Sequence, residues 1–240
     1  LALMDGEVLT SLRTGAASGF ATKLLANPAA ETVAIIGAGV QGRTQLEAVC
    51  CVRDIKSAYI FDISEKAAQR FAEEMSQKLS IDVILVTSEA DLSIADIICT
   101  ATSSSKPLFE HSSLKKGVHI NGIGSFRPDM CEIPPETVVN AKVFVDQREA
   151  CRAEAGDLIQ PIDAGLIDEE HISHEIGEVA LGKKEGRLDK NDITFFKSVG
   201  VAFQDLAVAT IIRGGTPHFE FVAGACTDGL LRVTLDHQLP

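Results

Sequence analysis

The chain has 240 residues, 45% of them apolar and 23% charged, a length and composition that allow a sizeable buried core. A formal net charge of −12 excludes non-specific nucleic-acid binding, which needs concentrated Lys and Arg to neutralise phosphates. No apolar run reaches the roughly 18 residues of a membrane span, and the first residues lack the basic and apolar pattern of a signal peptide, so a cytoplasmic enzyme is expected.

In chain order, LRTGAASGFATKLLANP (12–28) reads as a helix rich in small residues and closed at Asn27-Pro28. TVAIIGAGVQGRTQLEAVCCV (32–52) follows as a short β-branched strand, a glycine turn, and a helix with apolar Leu46, Val49 and Cys50. SAYIFD is a second strand, and SEKAAQRFAEEMSQKL a helix that Ser64 caps. IDVILV is a third strand. SEADLSIADIICTATSS gives a short helix and a fourth strand, while KKGVHINGIG and NAKVFVD give two more. This alternation predicts βαβ units in an α/β fold with a doubly wound parallel sheet of the Rossmann type. Beyond Asp146 the strands thin out and helical patterns take over, which suggests a second unit built from both ends of the chain. Residues 214–240 follow neither period and are assigned to no unit.

The six cysteines, at 50, 51, 99, 131, 151 and 226, form no C-x-x-C pair and read as small buried hydrophobes, with no redox role and no metal site. The chemistry lies elsewhere. Gly37, Gly39 and Gly42 stand G-x-G-x-x-G between a strand and a helix. In a dinucleotide site these glycines allow the tight turn, the approach of the pyrophosphate and the close packing of the helix. Such a site also needs an acid at the end of the next strand to bind ribose hydroxyls, and Asp62 ends YIFD, 20 residues past Gly42. Its carboxylate would repel a 2′-phosphate, and Ile63, Ser64 and Glu65 offer no arginine to hold one, so NAD is expected, with NADP as the alternative. Thr100 to Ser104 and the stretch HINGIGSFRPDM end the next two strands, which places Thr102, Gly122, Gly124, Arg127 and Asp129 at the sheet's carboxyl edge.

With these residues in view, MDGEVLTSLRTGAASGFATKLLA, IIGAGVQGRTQ, CTATSSSKPLF, GVHINGIGSFRPD and FFKSVGVAFQDLAVA together resemble the ornithine cyclodeaminase and mu-crystallin family, from about Met4 to Ile212. The resemblance implies a homodimeric enzyme that exchanges hydride between NAD(P) and the Cα of a small amino or imino acid. It also implies that residues 1–18 are the remnant of a substrate-binding and dimerisation domain, 19–196 the Rossmann domain, and 197–213 a helix returning to the substrate domain. Carried over residue by residue, Arg13 matches the arginine that holds the substrate carboxylate. Val40 and Gln41 match the pyrophosphate turn, Asp62 the ribose acid, and Thr102 a cofactor contact. Ile123 and Gly124 match the strand end near the nicotinamide, and Ser198 a residue near its carboxamide.

Two departures refine the expected function. Cyclodeaminases of the family carry an acid/base aspartate where this chain has Phe126, and SFRPD looks more like the ketimine-reductase branch. Asp129, three residues on, is the remaining candidate for the catalytic acid. The resemblance places the family's catalytic lysine upstream of the block MDGEVL, in a segment outside this sequence, so the residues here are expected to bind cofactor without supplying that lysine. The expected activity is reduction of a cyclic imino acid such as pyrroline-2-carboxylate. Ornithine cyclodeamination and non-catalytic cofactor binding are the alternatives.

Overall fold

A computed structural model describes residues 4–87, 89–172 and 174–214. The helix α1 (Gly6–Leu25) opens on Asp5, whose carboxylate accepts from the amides of Glu7 and Val8. Then come β1 (Thr32–Ile36), α2 (Val40–Val52), β2 (Ser57–Phe61), α3 (Glu65–Leu79) and β3 (Asp82–Leu85), followed by β4 (Ile97–Thr100) and β5 (His119–Gly122). The second half holds α4 (Pro135–Asn140), β6 (Lys142–Val145), α5 (Arg148–Glu154), α6 (Gly156–Asp163), β7 (His174–Glu175), α7 (Ile176–Ala180), β8 (Thr194–Lys197) and α8 (Ala202–Ile212).

All eight strands form one parallel sheet in the order β3-β2-β1-β4-β5-β8-β6-β7. The expected doubly wound sheet is therefore present, and its order reverses between β1 and β4, where a crevice opens at the carboxyl ends. Burial on both faces follows from alternation along β1. Val33 and Ile35 pack with Leu46, Val49, Phe71 and Met75 of α2 and α3, whereas Ala34 and Ile36 pack with Ile98, Ile120, Val143 and Phe195.

Two strands went unread in the sequence. One is the two-residue β7, and the other is β8, which lies centrally between β5 and β6. Thr-Phe-Phe-Lys is buried at all four positions, so it shows no alternation and resembles a turn of buried helix. Thr194 of β8 meets His119 of β5, whose imidazole also contacts Asn121 Oδ1 at 3.2 Å, and burial pushes that histidine's pKa down to about 3.

The helix α1 buries small side chains instead of large ones. A Cβ on Gly15 would lie 2.7 Å from the Thr44 carbonyl oxygen, and one on Gly19 would lie 3.0 Å from the Ala48 methyl, so the two glycines set how closely α1 approaches α2. The helix runs unbroken across the 18/19 boundary expected between two domains. Among the cysteines, Cys99, Cys131 and Cys151 are buried, as expected, and burial pushes the Cys99 thiol up to about 12. Cys51 departs from the expectation, being exposed on the outer face of α2, and Cys226 lies outside the described residues. Most of the unassigned stretch 214–240 lies there too. No helix among the described residues is long and apolar enough to cross a membrane.

Candidate functional site

The glycine turn joins β1 to α2. Gly37 has φ +109°, a conformation that L side chains rarely adopt, and a Cβ there would sit 2.6 Å from the Ala101 carbonyl oxygen. A Cβ on Gly42 would lie 2.1 Å from the Gly37 carbonyl oxygen, so only glycine lets α2 start this close to β1. Gly39 differs, because a Cβ there meets nothing within 4 Å and the space in front of the turn is open. It is also the N-cap of α2 and supplies no side-chain cap, which leaves the amides of Val40, Gln41 and Gly42 as free donors at the positive end of the helix. Gln41 Oε1 is buried without a partner. Behind the turn, Arg43 donates to the carbonyls of Ala38 (2.6 Å) and Gly39 (3.1 Å), and its other edge binds Glu74.

Asp62 stands just past the end of β2. Its Oδ2 accepts from the Ala38 amide at 2.7 Å and its Oδ1 from the Ser64 amide at 2.8 Å, so the carboxylate is fastened to the glycine turn. Ile63 beside it is 99% exposed. The pair Asp62→Ser and Ile63→Arg should shift cofactor preference from NADH toward NADPH, by about tenfold or more in the ratio of dissociation constants. Tighter binding of NADPH than of NADH by the unaltered protein would refute the role given to Asp62.

At the ends of β4 and β5 sits a carboxylate that the sequence did not flag. Glu132 is fully buried and accepts four hydrogen bonds: the Thr102 amide and hydroxyl on Oε1 (2.7 and 2.8 Å), and the Thr100 hydroxyl and Gly124 amide on Oε2 (both 2.7 Å). Its own amide and that of Ile133 donate to Asp157 Oδ1, and Lys197 at the end of β8 reaches Asp157 Oδ2 at 3.2 Å and the Gly122 carbonyl at 3.1 Å. Burial, then the Asp157 charge, raises the Glu132 pKa, while Lys197 and the donors oppose the shift. Gly124 is locked in this arrangement, since a Cβ would lie 2.1 Å from the Thr102 carbonyl oxygen and 2.4 Å from Glu132 Oε1. Ile123 beside it is buried and its amide donates to the Thr100 carbonyl.

The end of β8 is organised by a second unflagged acid. Asp146 Oδ2 accepts from the Ser198 hydroxyl at 2.7 Å and from the amides of Val199 and Gly200, so Ser198 offers its neighbours an acceptor oxygen and no free hydrogen. Arg13 of α1 packs onto this loop. A Cβ on Gly200 would lie 1.9 Å from Arg13 Nη1. Nη1 donates to Gln204 Oε1 at 3.3 Å, whereas Nε lies 3.4 Å from Asp205 Oδ1 without forming a hydrogen bond. The guanidinium is mostly buried, with 13% of the side chain exposed, yet among the described residues it makes a single hydrogen bond.

The structure thus brings Gly37, Gly39, Val40, Gln41, Gly42 and Asp62 together around one turn and Thr102, Ile123 and Gly124 around Glu132, and it puts Ser198 on the loop against which Arg13 packs. Asp129 joins none of these groups. It is exposed on the loop after β5 and pairs with Arg127 at 3.2 Å, as a turn residue would, and Phe126 on the same loop is 51% exposed. Asp146 could have been found by the signal that found Asp62, an acid ending a strand, whereas nothing local marks Glu132.

Comparison with known proteins bears on this arrangement. A model of the ornithine cyclodeaminase/mu-crystallin family matches residues 1–216, and one of 6,7-dimethyl-8-ribityllumazine synthase matches residues 204–240. Delta(1)-pyrroline-2-carboxylate reductase of Bacillus cereus is 44% identical over 211 residues, which is 87% of this chain and 65% of that protein. The chain therefore spans about two thirds of the length of that relative, just under it by the aligned share of 65%. A structure of the Thermococcus litoralis Delta(1)-pyrroline-2-carboxylate reductase with NADH and L-proline superposes with a TM-score of 0.86 at 43% identity, covering 91% of this chain and 70% of that one. A dimeric archaeal alanine dehydrogenase with bound NAD does so with a TM-score of 0.83 at 36% identity, covering 92% and 70%.

Proposed function

The chain belongs to the ornithine cyclodeaminase/mu-crystallin family, and from that premise we propose that it is an NAD-dependent reductase of cyclic imino acids of the pyrroline-2-carboxylate kind. The observation that carries this reading is the Arg13 guanidinium, mostly buried against the loop after β8 and making a single hydrogen bond. A planar guanidinium with donors to spare matches a carboxylate, and a carboxylate is what a cyclic imino acid presents next to its reacting carbon.

The residues around the glycine turn fit the dinucleotide. Open space before Gly39, the free amides of α2 and the fastened Asp62 would receive pyrophosphate and ribose, and the bound cofactor supplies a hydride. The chain's own part is binding and orientation. Arg13 holds the carboxylate, and Thr102, Ile123, Gly124 and Ser198 form the floor on which the two reactants meet. Phe126 walls the ring from solvent. The imine nitrogen takes its proton from water. The functional protein is a homodimer, a reading supported by the exposed apolar side chains Val8, Leu12 and Phe20 on α1 and Phe203, Ile211 and Ile212 on α8.

The test is a parallel assay with pyrroline-2-carboxylate and with ornithine. NADH consumption on the imine without ammonia from ornithine is the expected result. Ammonia released from ornithine at an enzymatic rate would make the protein a cyclodeaminase, and cofactor binding with neither activity would make it a binding protein. Phe126→Asp should lower imine reduction by about tenfold and still release no ammonia, since an acid/base aspartate works only within a supporting shell of hydrogen bonds. Ammonia release by that variant would show that the shell is already there.

A further inference from the structure

The carboxyl ends of β4, β5, β6 and β8 hold more buried negative charge than positive. Glu132 and Asp157 are fully buried and Asp146 is 6% exposed, while the one fully buried cation among them is Lys197. Each carboxylate accepts hydrogen bonds from at least two backbone amides, which have no capacity to take up a proton. Those amides fill acceptor positions without neutralising charge, and the Lys197 ammonium together with the mostly buried Arg13 guanidinium, itself shared with Asp205, leaves acids in excess of bases in the cluster. Natural sheets rarely bury such an excess unless something positive is to be placed against it.

Asp62 and the glycine turn claim the β1–β2 half of the crevice for one nucleotide, which leaves the β4–β5–β8 half for the other. Resting on the function proposed above, we infer that the buried carboxylates, Glu132 foremost, favour the oxidised and positively charged nicotinamide over the reduced one and so ease the loss of hydride. Reduction of a protonated cyclic imine moves two electrons and one proton, as hydride, from the reduced ring to the imine carbon. The imine nitrogen gives up its positive charge and the nicotinamide ring acquires one, so positive charge passes to the ring, where these carboxylates attract it. In a low-dielectric, water-poor site such fixed charge acts more strongly than it would in water. Glu132 is a positioning residue on this account. It holds Thr102 and Gly124 in place and sets the field above them without touching the substrate.

A merely structural clamp would hold both forms of the cofactor equally, and this separates the two accounts. Dissociation constants of NAD+ and NADH, measured by calorimetric titration without substrate, should shift unequally in Glu132→Gln, with NAD+ weakened about tenfold more than NADH. Glu132→Asp keeps the charge and loses reach, so it should loosen both while leaving their ratio within about threefold. Equal weakening of both by Glu132→Gln overturns the inference. If that variant does not fold, Asp157→Asn removes the same unit of charge from the same cluster, and an unchanged ratio there overturns it equally. Failure of the unaltered protein to bind either nucleotide would instead overturn the proposed function.

Discussion

Replacing Arg13 with alanine should raise KM for the imino acid by roughly 10- to 100-fold while leaving NADH affinity within about threefold, because a charge-assisted bidentate contact is worth about 1.5 to 3 kcal/mol. The geometry argues that this loss falls on the substrate and not on the fold. Arg13 makes one hydrogen bond, to Gln204, and an ion pair with Asp205, whose side chain is 31% exposed and can turn to water, so truncation strands little. Lysine at this position should recover only part of the loss, since a point charge does not reproduce the fork. Melting temperature and steady-state kinetics together decide the matter. A large fall in melting temperature with unchanged KM would make Arg13 a strut between α1 and α8.

The second large effect comes from two glycines at strand ends, Gly124 after β5 and Gly39 after β1, that differ in the space around them. Gly124→Ala should destabilise the protein by about 1–3 kcal/mol or more and abolish tight cofactor binding, because the added methyl lands 2.1 Å from the Thr102 carbonyl oxygen and 2.4 Å from Glu132 Oε1, neither free to retreat. Gly39→Ala should leave the melting temperature nearly unchanged, since its methyl meets no protein atom within 4 Å, and should still weaken NADH by about tenfold or more by filling the approach to the free amides of α2. Thermal melting and NADH titration of both variants check this. A Gly39→Ala protein that binds NADH normally would remove the glycine turn from the cofactor site.

How much of this was legible in the sequence depended on where each residue finds its partners. The glycine turn and Asp62 could be read because strand, turn, helix and acid follow one another along a short stretch of chain, and the bond from the Ala38 amide to Asp62 spans only 24 residues. Arg13 was reached by resemblance, and its meeting with Gly200 could not have been inferred from spacing. Glu132 carries no local signal of its function, and Asp146 carries only that of an acid ending a strand. They serve groups 30 and 52 residues away, and a glutamate in SFRPDMCEI reads as one more exposed charge until the sheet is assembled. Asp129 illustrates the converse, since its charge drew notice in the sequence while the structure gives it only Arg127. The strand β8 was missed because burial on both faces erases alternation.

That hidden strand also dictates when the molecule can become whole. β5 leaves the ribosome as an open edge, and the partner that closes it, β8, is made about 75 residues later, after β6 and β7 have already emerged with no place in the sheet. Until Thr194 reaches His119, the nascent chain carries unpaired backbone along β5 and β6. The interval between the synthesis of β5 and that of β8 is therefore the one of greatest exposure to misassembly, and chaperones would find their substrate there.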